Sequence, residues 1–84
     1  MAEHRTPDGS RVDILTDTEA WEVEHPHKWK EAVGQAHFYA LATNRKPGII
    51  LLLKGARNEK VYYLRCLAVC VKTGVELRTH RIDK

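Results

Sequence analysis

The sequence predicts a single α/β domain over residues 1–84, a mixed sheet of about four or five strands with two helices in the order β-β-β-α-β-α-β. Three observations predict it. Two strand-like stretches flank a turn at Asp17-Thr18, and in the second Glu22 and Glu24 alternate with Trp21 and Val23. Two later stretches repeat apolar residues at helical spacing. Between those two stretches lies a continuous apolar run, Ile49-Ile50-Leu51-Leu52-Leu53.

Met1 to Thr6 is a short polar start with the character of an edge strand. Thr6-Pro7-Asp8-Gly9 has Pro and Gly where a tight turn uses them, and would fold Glu3–Arg5 back onto Arg11–Leu15. Ser10–Thr16 and Glu19–His25 are the clearest strands. With Asp17-Thr18 as a two-residue hairpin loop, Thr16 pairs with Glu19, Leu15 with Ala20, Ile14 with Trp21 and Asp13 with Glu22. Pro26 stops the second strand. A helix runs from about His27 to Asn44, with Trp29, Ala32, Val33, Ala36, Phe38, Ala40 and Leu41 giving a broad apolar surface. Lys28, Glu31, Gln35 and Tyr39 form another stripe on it. Asn44 and the subsequent Pro47-Gly48 end the helix. The apolar run Ile49–Leu53 suits a central strand covered on both faces. Glu59–Lys72 is a second helix, with Val61, Leu64, Leu67, Ala68 and Val71 at helical spacing and Gly74 as its C-cap. Val75–Ile82 reads as a final edge strand.

A chain of 84 residues buries only about 60–65% of its unfolded surface, so the core is small and dimerisation would help. Charged residues at 30% and hydrophobic ones at 43% describe a globular rather than a disordered chain. The net charge of +3 suits a polyanionic partner without requiring one. No apolar run is long enough to span a bilayer, and the first residues lack a signal-peptide core. The expectation is a cytoplasmic, non-secreted protein. Cys66 and Cys70, four apart in a helix, suit buried free thiols in a reducing compartment.

Chemistry concentrates on the hairpin. Side chains alternate between the faces of a strand, so Glu22 and Glu24 share one face while Trp21 and Val23 share the other. The hairpin register adds Asp13 to the acidic face. Like charges directly opposite on a sheet are unfavourable. A hard divalent cation such as Mg²⁺ or Mn²⁺, which takes oxygen ligands, would relieve the repulsion. An ordinary solvated polar face is the competing reading. His25-Pro26-His27 with His37 could suggest zinc, since two histidines two apart can chelate from a strand end, but a third ligand is not evident; His25 and His27 also adjoin the acids. Lys28, Lys30, Arg45, Lys46, Lys54, Arg57 and Lys60 lie at element ends and loops, as either a phosphate track or a solvated surface.

Asp13, then Glu22-Val23-Glu24, then a helix carrying Gln35-Ala36-His37-Phe38-Tyr39, resembles the PD-(D/E)xK nuclease superfamily. The Q-x-x-x-Y spacing resembles its RecB-like branch, and the size resembles its minimal junction-resolvase-like and VRR-Nuc-like members. The resemblance covers about Ser10 to Leu53. It implies a restriction-endonuclease-like core and metal-dependent hydrolysis of DNA phosphodiester bonds. Asp13 and Glu22 would bind Mg²⁺ or Mn²⁺, with the Val23 carbonyl as a further ligand. Gln35 would orient water, substrate or a ligand. Tyr39 would either assist through its hydroxyl or pack, and His25 is a second accessory candidate. Lys30, Arg45 and Lys46 are candidate contacts to the nucleic-acid backbone.

The sequence departs from the family pattern twice. Glu24 stands where the usual lysine belongs, and Lys28, on the Gln35 side of the helix start, is the candidate replacement. The family's N-terminal helix is missing, and Glu3 would supply its acid only if the leading segment folds back. The implied partners are DNA, branched DNA such as four-way junctions by analogy, and a second copy of the chain in a homodimer. The alternative is a catalytically inactive nuclease-like module that binds DNA or a protein partner.

Overall fold

The computed structural model describes residues 4–5 and 11–82. The Thr6–Gly9 turn, Ser10 and Glu3 lie outside these residues. Strands β1 (His4–Arg5) and β2 (Arg11–Val12) pair antiparallel, so the leading segment does fold back onto the next stretch of chain. Four further strands form a mixed sheet in the order β3 (Ile14–Leu15), β4 (Glu19–Glu24), β5 (Lys46–Leu53) and β6 (Glu76–Arg81). Helix α1 (Trp29–Thr43) connects β4 to β5, and α2 (Glu59–Thr73) connects β5 to β6. The protein is thus α/β, with the element order β-β-β-α-β-α-β predicted from the sequence once β2 and β3 are counted as the two halves of one predicted strand.

That split falls at Asp13. The expected strand Ser10–Thr16 is interrupted there, between β2 and β3. Beyond the break the register is the predicted one, with Ile14 opposite Trp21 and Leu15 opposite Ala20. The turn is held by Thr16, whose hydroxyl accepts the Glu19 N–H at 2.8 Å and donates to the Glu19 carboxylate at 2.6 Å. Arg45 ties this turn to the end of α1, donating from Nε to the Thr16 carbonyl at 2.7 Å and from a terminal nitrogen to the Thr43 carbonyl at 3.1 Å.

β4, β5 and β6 run parallel, with Glu22 beside Ile49 and Ile49 beside Leu77. One face of β5 carries Ile49 and Leu51, both fully buried. They meet Trp29, Ala32 and Ala36 of α1 and Cys66 and Cys70 of α2, so both helices cover the same face. Burying each of these two branched side chains contributes about 1.5–3 kcal/mol. The small alanines let α1 lie close to the sheet.

Three expectations about burial are corrected. β5 is central but covered on one face only, and Ile50 and Leu52 remain partly exposed beside Ile14, Val23 and His80. The core side of α2 is Cys66 and Cys70, with Tyr62, Tyr63 and Val69 packed around them. Val61, Leu64 and Val71 face away and are exposed. On α1, Phe38 and Leu41 are likewise exposed. Both helices carry apolar residues nearly all round, so spacing does not single out the buried side. The helix predicted from His27 opens as a 3-10 turn at Pro26–Lys28 before α1 begins, and Asn44 ends it in the left-handed conformation at φ 55°. Gly74 does the same for α2 at φ 80°, a conformation a side chain resists.

Candidate metal and nucleic-acid site

The site is built on the break at Asp13. Leaving the ladder turns its carboxylate inward, where Oδ2 accepts the Val23 N–H at 2.9 Å. A side chain thereby takes a backbone donor of β4 and fixes Asp13 against the strand. Glu22, the residue before Val23, points to the helix-covered face alongside Ile49. It is only 7% exposed, the one polar or charged residue among the described residues that counts as buried. Its Oε1 is buried without a hydrogen-bond partner. Burial, then the negative charges of Asp13 and Glu24, then a hydrogen bond shared with Asp13, push its carboxyl up to about 8. Glu24 is half-buried, and its Oε1 accepts the His25 N–H at 2.9 Å.

A buried carboxyl oxygen with no donor, next to a second carboxylate, is a costly arrangement without a cation or a proton. Mg²⁺ commonly takes one or two protein carboxylates and fills its other positions with water and substrate oxygens. Asp13 and Glu22 fit that donor set. Among the described residues no group of three or more His, Cys, Asp or Glu side chains is placed to hold a metal ion, so Glu24 does not complete a three-carboxylate cage.

Helix α1 passes over this site. Tyr39 is 8% exposed and packs on Val12 and Ala20. Gln35, one turn earlier on the same stripe, is exposed, as is Lys28 at the helix start. Lys28 lines a depression toward α2 with Tyr62 and Arg65. Among the described residues it makes no ion pair with Asp13, Glu22 or Glu24. His25 has a buried Nδ1 without a partner, and its ring stacks at 6.1 Å from that of His27. Of the expected backbone contacts, Lys30 is exposed with its amine 5.8 Å from the Trp29 ring centre. Arg45 is committed to the β3–β4 turn. Lys46 pairs in register with Glu19, three residues back along β4 from Glu22. Lys30 is therefore separated from Arg45 and Lys46.

Sequence reasoning missed Tyr62 and Arg65, because α2 reads as an apolar helix and its placement against Lys28 is tertiary. His37, weighed in the sequence only as a zinc ligand, has its Nε2 buried without a partner. The two thiols are buried and free as expected, with sulfurs 3.7 Å apart. Burial, with Cys70 as neighbour, pushes the Cys66 thiol up to about 12, which makes it a poor nucleophile. No helix among the described residues is long and apolar enough to cross a membrane. The chain matches no family model, no curated protein and no solved structure.

Proposed function

We propose that the chain is a Mg²⁺- or Mn²⁺-dependent nuclease that hydrolyses DNA phosphodiester bonds. The observation that carries this reading is the buried Glu22 carboxyl with an unpartnered oxygen beside Asp13, under the helix that bears Gln35. Asp13 and Glu22 would hold the ion, with the Val23 carbonyl as a further ligand. When bound, the ion supplies polarisation of the scissile phosphate and stabilisation of its developing charge. The chain's residues do the rest. The Val23 N–H keeps Asp13 oriented, Glu22 gives up its proton to become a ligand, and Gln35 orients water or substrate. Lys28 is the candidate lysine, and Glu24 and His25 border the site.

The test is cleavage of end-labelled linear, flapped and four-way-junction DNA with Mg²⁺, Mn²⁺ or a chelator. The expected result is metal-dependent cutting that Asp13→Asn abolishes. The asparagine keeps an oxygen for the Val23 N–H, so lost cutting would not reflect a lost fold. The small size of the chain and the exposed Val61, Leu64 and Val71 support a homodimer, which sedimentation of the wild type tests. Branched DNA as the substrate rests on analogy with minimal members of the superfamily.

A second reading is an inactive nuclease-like module that binds DNA or a protein. It is favoured by the missing third metal ligand and by Glu24, whose carboxylate is tied to the next residue's N–H. Absence of cutting with every metal, and no metal-induced rise in melting temperature, would select it.

A further inference from the structure

The parallel strands β4 and β5 end at the same edge of the sheet, and the segment after each is basic. After β4 come His25, His27 and Lys28. After β5 come Lys54 and Arg57. A depression of about 390 Å³ between the start of α1 and α2 is lined by His27, Lys28, Lys30, Tyr62 and Arg65, with Glu31 as the acid on its wall and Trp29 beneath Lys30. A smaller one of about 40 Å³ shares His27 and Tyr62 and adds His25, Lys54 and Arg57. Its acid, Glu59, is already satisfied. Glu59 accepts the N–H groups of Lys54 at 2.9 Å and Gly55 at 3.0 Å, bonds that lower its pKa.

Five permanent cations thus surround two joined depressions that hold two acids. Among the described residues, none of the five forms an ion pair. His25, on the wall of the small depression, directly follows Glu24, whose negative charge acts on Glu22. In open α/β sheets this end of the parallel strands is where ligands bind.

We propose that the joined depressions bind the sugar–phosphate backbone of a nucleic-acid strand running from the Asp13–Glu22 site across the start of α1 to α2. Arg65 presents a planar fork matched to phosphate oxygens, and Lys28 and Lys30 act as point charges along the path. The choice of nucleic acid as the polyanion rests on the nuclease reading, whereas the groove itself requires no catalysis. The path relocates the phosphate track. It leaves out Arg45 and Lys46 and takes in Arg65, a residue of α2.

The test is fluorescence anisotropy with a fluorescein-labelled oligonucleotide, single-stranded and duplex, in chelator so that nothing is cut. Lys30→Glu with Arg65→Glu should weaken binding by about tenfold or more and lower the slope of log Kd against log salt by about 1.4–1.8. Lys72→Glu, an exposed charge in the last turn of α2, should bind as the wild type does. The gentler pair Lys30→Gln and Arg65→Gln should give a smaller loss in the same direction, which keeps the result readable if charge reversal harms folding. Double-variant binding within about twofold of the wild type overturns the groove. So does a wild type that binds phosphatidylserine–phosphatidylcholine vesicles and no oligonucleotide. Cutting with Mg²⁺ is measured separately. Groove-dependent binding without cutting refutes the nuclease and keeps the groove. Cutting with unaltered double-variant binding does the reverse.

Discussion

Glu22 turns a local arrangement into a dependence on pH. Its carboxyl is raised from the ordinary value of 4.5 to about 8 in the folded chain. Between those values the native state holds a proton that the unfolded state has released. The resulting stability is full below about pH 4.5 and is lost as pH rises toward 8. Melting temperatures from pH 5 to 8 should fall for the wild type relative to Glu22→Gln, which carries no titrating group there. Parallel curves for the two proteins would remove the buried carboxyl as the cause. If Asp13 and Glu22 hold Mg²⁺, the ion should raise the wild-type melting temperature at pH 7.5 and leave Glu22→Gln unmoved. Two glycines give a second residue-scale contrast. A Cβ at Gly48 would sit 2.5 Å from the Trp21 ring, so Gly48→Ala should cost about 1–3 kcal/mol in urea unfolding. Gly34, in α1, has open space around it, and Gly34→Ala should stabilise by about 0.5–1 kcal/mol. The Asp13–Glu22 neighbourhood was legible in the sequence because a two-residue turn fixes register and a period of two fixes the face. The depth of Glu22 was not legible, since it depends on how α1 lies over β4. Nor was the bond that draws Asp13 out of its strand to the Val23 N–H.

At the scale of elements, α2 separates what periodicity can reveal from what it cannot. Its existence and length follow from apolar spacing and from Gly74 after its end. Its orientation does not, because Val61, Leu64 and Val71 form one stripe while Cys66, Cys70 and Tyr62 form the opposite one. The second stripe is buried since it contains the side chains that meet Ile49 and Leu51. Leu64→Gln should therefore change unfolding free energy by no more than about 0.5 kcal/mol. Cys66→Ser, which buries a hydroxyl where a thiol packs, should cost about 1–3 kcal/mol. A reversal of that order would show that the leucine stripe is covered in solution. The hairpin is the opposite case. Its turn residues, register and facing pattern agree at every level, and Thr16 reinforces them with two side-chain hydrogen bonds to Glu19.

For the whole molecule, the decisive feature is that both helices lie on one side of the sheet. The uncovered side is closed in part by Trp21, lying over Gly48 with the Arg78 guanidinium 5.0 Å from its ring centre. Arg78 is held there by Glu76 at 2.8 Å. Alternation alone could not reveal this, because Ile49–Leu53 is apolar at every position and reads as buried on both faces. The topology also leaves β6 at an edge, and native-state hydrogen exchange can read that directly. In a parallel ladder, successive N–H groups point alternately to the two sides of a strand. The Ile82 N–H donates to the Leu53 carbonyl at 2.8 Å, which sets the parity for β6. The Arg78 and His80 amides should then point to β5 and exchange slowly, whereas those of Leu77 and Thr79 point outward and should exchange quickly. Along β5, paired with β4 on one side and β6 on the other, amides of both parities should be slow from Ile49 to Leu53. Fast exchange at alternate positions of β5 would refute the strand order. Slow exchange at every position of β6 would mean that another strand completes this edge in solution. A concentration dependence of that protection would identify the added strand as a second copy of the chain.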